Sequence, residues 1–314
     1  MLYDALVAGG GPAGLFAALA AAETGARTAL VERMPSVGRK LLVSGSGQCN
    51  LTRSGPIAAF LDRYGTSSPA GAARFLRPSL FGFPNRALAE YLEARGLPLE
   101  EAEGGKVFPA TRRARDLRDL LVAEARRAGV DLVCGARVSA ARRTSEGFEL
   151  AFGVGPDGAE PITPIAGRTL VLATGGASYP STGSSGDGYA LATGFGHRIV
   201  AVGPALASAY VDREAYAPFV ACAGLALRDR PVAVLRGGRR VASGRGDVLF
   251  THRGLSGPGI LDLSRSVRPG DELALPLAEP ADGPAGAPAG GLEAADARLL
   301  AAVAAHVKRG LVGV

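Results

Sequence analysis

Three glycines and one acid near the start of the chain have the residue types and spacing needed to grip a nucleotide. In Gly9-x-Gly11-x-x-Gly14, with Pro12 and Ala13 between the last two, one glycine makes a tight turn, one admits a pyrophosphate, and one lets a helix pack closely on a strand. The helix that follows would then face the anion with its N-terminus. Glu32 stands 23 positions after Gly9 and is followed by Arg33. A carboxylate there can accept hydrogen bonds from ribose hydroxyls.

A second group lies in residues 38–53, GRKLLVSGSGQCNLTR. A plain dinucleotide-binding dehydrogenase would ordinarily enter its next helix here. This stretch reads instead as a Gly- and Ser-rich loop carrying Arg39, Lys40, Ser44, Gln48 and Asn50. Gly45 and Gly47 free backbone N–H groups to point at a ligand, and Arg39 with Lys40 places positive charge where a diphosphate can lie. Cys49, in the same loop, is a candidate proton donor toward an activated alkene or a pyrimidine ring; its alternative is a small buried core residue. His252 is a candidate for approaching a substrate, set against a structural role in a turn. No serine triad, carboxylate pair or metal-ligand spacing stands out, and only three histidines occur, so the chemistry falls to a cofactor.

These residues need elements to hold them. Leu2 to Ala8 reads as a buried strand, Pro12 to Glu23 as a helix with Leu15, Phe16, Leu19 and Ala22 at helical spacing, Gly25 as its stop, and Arg27 to Glu32 as a second strand. The order strand, glycine turn, helix, strand is a βαβ unit, and the chain is therefore read as α/β with a Rossmann-type domain. The uncharged run from Ala5 to Ala22 is long enough to suggest a membrane span, but Gly9 to Pro12 sit near its middle, where a lipid-exposed helix could not spare the backbone hydrogen bonds. A secretion signal is disfavoured too, because Met1 to Asp4 carry no Lys or Arg.

Further on, Thr111 can cap a helix running to Ala128, with Leu117, Leu120, Leu121 and Ala125 as one apolar stripe before Gly129. Strands are expected at Val130 to Cys134, Ala136 to Ala140, Phe148 to Phe152 and Thr169 to Ala173. A short helix is expected from Ser184 to Phe195, with Asp187 as its cap and Gly196 closing it. From about Ala207 apolar and polar residues alternate around Gly237 and Gly238, which predicts a hairpin in a separate β-rich domain. Residues 277–297, rich in Pro, Ala and Gly, read as a linker, and Leu292 to Arg309 as a helix.

The sequence resembles the bacterial NAD(P)/FAD-dependent oxidoreductases known as aminoacetone oxidase-like or BaiN/RdsA-type flavoproteins. The match is carried by VAGGGPAG, GRKLLVSGSGQCNLT, KVFPATRRARDL at 106–117, LATGGASYPSTGSSGDGYALATGFGH at 172–197 and LFTHRGLSGPGIL at 249–261, in that order. The resemblance implies an FAD-binding Rossmann-type domain over 1–205, an inserted β-rich substrate domain over 206–278, a linker over 279–291, and the start of a helical segment over 292–314. It implies that Val138 offers backbone to the adenine and that Thr174, Gly175 and Gly176 lie against the cofactor. Tyr179 is a candidate for lining the flavin pocket or for packing. Family members continue into a segment that returns to the flavin domain, and the expectation is that this chain lacks it.

Only one dinucleotide fingerprint is present, so FAD is expected as resident cofactor and NAD(P)H as a transient co-substrate. The activity implied is hydride transfer between flavin N5 and a small-molecule substrate, with NAD(P)H or oxygen as the other partner. The alternatives are reduction of a uridine base in ribosomal RNA, an inactive truncated flavoprotein, and an NAD(P)-dependent dehydrogenase, the last disfavoured by the SGSGQCN loop and the ATGG segment. Substrate and oligomeric state are not fixed by the residues.

Composition agrees with a folded chain. Its 314 residues suffice for about two domains, with 47% hydrophobic and 20% charged residues. Gly reaches 45, roughly twice its usual share of about 7%. The net charge of +6 rests almost wholly on Arg, scattered along the chain with short clusters such as Arg112, Arg113 and Arg115. That scatter favours a solvated surface, with RNA as the partner such charge would otherwise suit. Cys49, Cys134 and Cys222 are odd in number and far apart, which indicates neither a disulfide framework nor a zinc ribbon and suits a reducing cytoplasm without membrane association.

Overall fold

The computed structural model describes residues 2–61, 64, 69–153, 162–276 and 301–302, and the chain divides into two units, one ending at Val200 and one beginning at Ala201. In the first, β1 (Leu2–Ala8), β2 (Thr28–Glu32), β6 (Asp131–Cys134), β7 (Val138–Thr144), β8 (Gly147–Phe152) and β9 (Ile165–Leu172) form a sheet in the spatial order β6-β2-β1-β9-β8-β7. Strands β6, β2, β1 and β9 are parallel, while β8 and β7 are antiparallel.

Residues Ala5 to Ala8 of β1 are all buried, as a central parallel strand covered on both faces requires. Val7 and Leu30 pack on one face with Leu15, Ala18 and Leu19 of α1 (Pro12–Glu23) and with Leu117, Leu121 and Ala125 of α6 (Ala114–Arg127). Leu6, Ala29 and Val31 point to the opposite face, with Ala136 and Leu150. The alternation follows from the two-residue side-chain period of a strand. Between β2 and β6 the chain forms α2 (Arg39–Val43), β3 (Thr52–Arg53), α3 (Ala58–Leu61), α4 (Pro69–Gly82), α5 (Asn85–Glu93), β4 (Leu99–Ala102), β5 (Lys106–Pro109) and α6. The three short strands make a second sheet in the order β3-β5-β4.

The helix expected behind a Thr111 cap starts at Ala114, two residues later than that cap implies. Arg112 adopts φ +54 and Arg113 is the extended N-cap, so the Thr111 hydroxyl lies too far out and donates to the Asp116 carboxylate at 2.5 Å instead. The strand expected at Ala136 begins at Val138, because Gly135 and Ala136 donate their amides to the Met34 and Glu32 carbonyls and serve as the connection from β6. The helix expected from Ser184 is α7 (Asp187–Gly194), and its N-cap is Gly186 at φ +85. Asp187 is therefore the first helical residue and does not cap it.

The second unit is an antiparallel sheet of β10 (Ala209–Tyr210), β13 (Gly254–Ser256), β12 (Arg239–Thr251), β11 (Ala226–Arg236), β14 (Glu272–Ala274) and β15 (Ala301–Ala302), in that spatial order. The β11–β12 hairpin turns on Gly237 and Gly238, at φ +56 and +73. Two successive left-handed residues are what a two-residue hairpin turn of type I′ demands. Val232, Val234, Val248, Phe250, Leu255 and Leu273 form the core with Tyr216 of α8 (Arg213–Tyr216) and Ile260 of α9 (Pro258–Leu261). The stretch 277–297 read as a linker lies outside the described residues. So does the helix read over Leu292 to Arg309, except that Ala301–Ala302 pair as a strand with β14. Among the described residues no helix is long and apolar enough to cross a membrane.

Candidate functional site

The three glycines of the first turn occupy three different environments. Gly9 takes φ +110 as β1 ends, its amide donates to the Val31 carbonyl at 2.7 Å, and a Cβ there would strike the Ala173 carbonyl. A Cβ on Gly14 would run into the Gly9 carbonyl oxygen, so α1 approaches β1 as closely as backbone allows. Gly11 differs: a Cβ would meet nothing within 4 Å. It is the N-cap of α1 and no side chain caps the helix, while Pro12 has no N–H to offer. The amide end of α1 thus opens on space beside Gly11, the setting in which helix N-termini hold anions.

Glu32 closes β2 beside this turn. Its Oε2 accepts the Gly10 amide at 2.7 Å and its Oε1 accepts the Met34 amide at 2.8 Å. Each carboxylate oxygen keeps a second lone pair for a sugar hydroxyl. Glu32 lies in a cleft of about 420 Å³, counting its open mouth, lined also by Gly9, Arg33, Val138 and Thr174. Five residues singled out from sequence therefore meet at one place. Arg137 and Asp187, which sequence reasoning did not assign to the site, line it as well.

Asp187 joins three chain segments at that cleft. Its Oδ2 lies 3.3 Å from Arg33 Nη1 and accepts from Arg137 Nε at 3.1 Å, while Oδ1 accepts from the Ser185 hydroxyl at 2.7 Å. Arg33 Nη1 also donates to Ser185 Oγ at 2.5 Å. Burial alone would raise the carboxyl's pKa, but the hydrogen bonds from Ser185 and Arg137 and the two arginine charges outweigh it and hold it below the usual carboxylate range.

The loop after Gly38 is built differently from expectation in one respect. Arg39 and Lys40 lie on the single-turn helix α2 rather than in open loop. The chain then turns through left-handed residues: Gly45 (φ +54), Ser46 (+55), Gly47 (+87) and Cys49 (+60). A Cβ on Gly45 would stand 2.8 Å from the Asn50 amide nitrogen. Lys40 Nζ donates to the Ser178 carbonyl at 2.9 Å, tying α2 to the segment after β9, and burial pushes its pKa down. Ser44 is half-buried and Asn50 exposed, and Gln48 Oε1 accepts a long 3.5 Å bond from Arg112.

Thr174, Gly175 and Gly176 follow β9. Gly175 takes φ +77, the Gly176 carbonyl accepts the Gly186 amide at 3.1 Å, and Thr174 packs on Gly188 at the start of α7. Tyr179 is 62% exposed. The candidate proton donor Cys49 is buried among Val37, Leu41 and Leu117, and burial pushes its thiol up. The exposure and lowered pKa that mark a reactive cysteine are not what this position provides, so the core alternative describes it. His252 is exposed in the tight turn between β12 and β13 of the second unit. Among the described residues no cluster of His, Cys, Asp and Glu is suited to a metal ion.

Residues 3–300 match the family model described as HI0933-like protein Rossmann domain. The chain belongs to this family. Two curated relatives of this HI0933-like chain have names that describe reactions. It is 32% identical over 266 residues to a 3-dehydro-bile acid delta(4,6)-reductase of Clostridium scindens, covering 84% of this chain and 60% of that protein. It is 29% identical over 275 residues to the ribosomal RNA dihydrouridine synthase of Escherichia coli, covering 88% of this chain and 64% of that one. The HI0933-like chain thus spans under two thirds of the length of either relative. Among solved structures it is similar to the open conformation of a flavocytochrome c3 fumarate reductase, with a TM-score of 0.51 at 18% identity, covering 72% of this chain and 47% of that one. That likeness is one of fold.

Proposed function

We propose that the chain is the nucleotide-binding part of an FAD-dependent oxidoreductase. The observation that carries this is the open space over Gly11 at the uncapped end of α1, set beside a Glu32 carboxylate with a lone pair to spare on each oxygen. A substituent on Gly9 or Gly14 would collide with backbone, so the same turn that fixes the strand and helix leaves one bare position for a diphosphate. Gly9, Gly11, Ala13 and Gly14 hold the phosphates, Glu32 the ribose, and Arg33 and Val138 line the adenosine end. Arg39, Lys40, the turn 44–50 and the Thr174–Gly176 segment lie along the rest of the dinucleotide. When bound, the flavin supplies hydride transfer at N5, and the protein's part is to bind, orient and exclude water.

Both relatives carry names that describe saturation of a carbon–carbon double bond, which supports an activated alkene as the substrate class, with NAD(P)H as the electron source. A small molecule is favoured over RNA, because the net charge of +6 rests on arginines scattered along the chain and several of them, Arg95, Arg112, Arg142, Arg228, Arg236 and Arg245 among them, already pair with carboxylates. Extraction of the cofactor from freshly purified protein tests the reading. FAD released at near one per chain, or FAD binding to the ligand-free protein with a raised Tm, is the expected result. Binding of a nicotinamide dinucleotide with indifference to FAD would replace it with a dehydrogenase.

A further inference from the structure

The ion-pair cluster around Asp187 gathers residues from the end of β2, the β6–β7 connection and the start of α7 at the cleft that contains Glu32. Arg33 and Arg137 come from segments 104 positions apart and meet on the same carboxylate oxygen, Asp187 Oδ2. Ser185 takes the other oxygen and also receives Arg33, so the carboxylate is used from both sides. The Arg33 stem is further confined by Gly183, where a Cβ would stand 3.5 Å from Arg33 Cγ and 2.9 Å from Met34 Cγ. Side-chain exposure falls from 60% at Arg137 to 32% at Arg33 and 25% at Asp187, so the shared carboxylate is the sheltered member of the group.

We propose that Asp187 is a positioning residue that holds Arg33 and Arg137 as a clamp for the adenosine diphosphate half of the dinucleotide. This rests on the assignment of the cleft as a dinucleotide site. A guanidinium is planar and keeps its charge, so it can stack on a purine face or donate to a phosphate, and anchoring it beforehand reduces the ordering lost on binding. One ionised carboxylate engages both arginines, and Ser185 holds Arg33 as well. The clamp also couples the adenosine end to the segment that carries Thr174 to Gly176, because Ser185 and Asp187 continue that segment into α7.

The test is titration of the full chain with ADP and with FAD, comparing the wild type with D187N and R137Q and measuring the ligand-free Tm of each. The Asp187→Asn change keeps the size of the side chain and removes its charge, whereas Arg137 is mostly exposed and its replacement leaves the packing intact. About a tenfold loss of ADP and FAD affinity in D187N, a smaller loss in R137Q partly recovered in R137K, a ligand-free Tm close to wild type in R137Q and a modestly lower one in D187N are expected. ADP affinities within twofold of wild type in both variants overturn the clamp while leaving FAD binding in place. So does a wild type that binds FAD but not ADP. A wild type that binds neither removes the clamp and the dinucleotide site together. Should D187N fail to fold, R137Q against R137K decides, and equal ADP affinity in those two variants and the wild type overturns the proposal.

Discussion

Replacing Gly11 with Ala separates folding from binding in a way that no other glycine of the turn permits. The backbone at Gly11 has φ −74 and ψ −178, an extended conformation open to any residue, and the added methyl meets no protein atom within 4 Å. The folded state therefore pays no steric penalty, while the unfolded chain loses conformational freedom. That gain, about 0.4–1 kcal/mol, is offset by the poorer fit of Ala than Gly at an N-cap, so the ligand-free Tm should stay within roughly 2 °C of wild type. The methyl would project into the space assigned to the diphosphate. Displacing one or two charge-assisted backbone contacts to phosphate costs about 2–3 kcal/mol, which is ~30- to 150-fold in Kd. Differential scanning fluorimetry of the ligand-free protein and a fluorescence titration with FAD measure the two halves. Unchanged FAD affinity in G11A would refute the placement of the diphosphate over this residue, and a ligand-free Tm lowered by more than about 5 °C would refute the claim that the position is sterically open.

Gly14→Ala should behave in the opposite manner, because its methyl is driven into the Gly9 carbonyl with backbone on both sides. A loss of about 3 kcal/mol is expected from overpacking, read as a lower urea midpoint, and a midpoint equal to wild type would contradict the contact. In the second unit, the Asp271 side chain is 2% exposed and accepts from Arg236 Nε and Nη2, both at 2.8 Å, and from the Arg268 amide at 2.7 Å. Burial alone would raise its pKa, but these hydrogen bonds and the charges of Arg236 and Arg268 pull it below the ordinary carboxylate value. Because the folded pKa is the lower one, the stability it contributes is present above the unfolded value of about 3.9 and is lost as pH falls through the folded pKa. Asp271→Asn should cost roughly 2 kcal/mol at pH 7, less than a fully buried pair because Arg236 is 37% exposed and regains water. It should also flatten the fall in Tm between pH 5 and pH 3, and an acid-sensitivity curve identical to wild type would count against this role.

What the sequence disclosed was governed by local constraints. The limits of β1 and α1 were legible to the residue, because three glycines, a proline and an unbroken apolar run leave one arrangement of strand, turn and helix. The hairpin at Gly237 and Gly238 was legible for the same reason. Contacts between distant segments were not. Asp187 has the look of a helix cap, and the spacing gives no sign that Gly186 takes that position while the carboxylate turns to Arg33 and Arg137, 154 and 50 residues away. Cys49 sits in a stretch of Gly, Ser, Gln and Asn that reads as exposed loop. The chain there turns through left-handed backbone at Gly45, Ser46, Gly47 and Cys49 itself, and Cys49 ends in the buried cluster that holds Leu41 of α2 and Leu117 of α6. Thr111 failed as a cap because Arg112 takes a conformation that the sequence gives no reason to expect.

Glu32 shows why the cleft can be ready before any ligand arrives. A carboxylate held only for a sugar would be mobile in the ligand-free protein, and its ordering would count against binding. Here both oxygens are already engaged, one by the amide of the glycine turn and the other by the amide two residues on. The first of these bonds fixes Gly10 against the end of β2, and the Gly38 amide closes on the Gly10 carbonyl at 2.7 Å, so the turn, the acid and the start of α2 form one hydrogen-bonded unit. Binding then needs no rearrangement of the acid, only use of lone pairs that already point away from the protein's own donors. The residue proposed to hold the ribose is thus also one that shapes the backbone around it, so substitution at Glu32 is expected to disturb the cradle as well as the sugar contact.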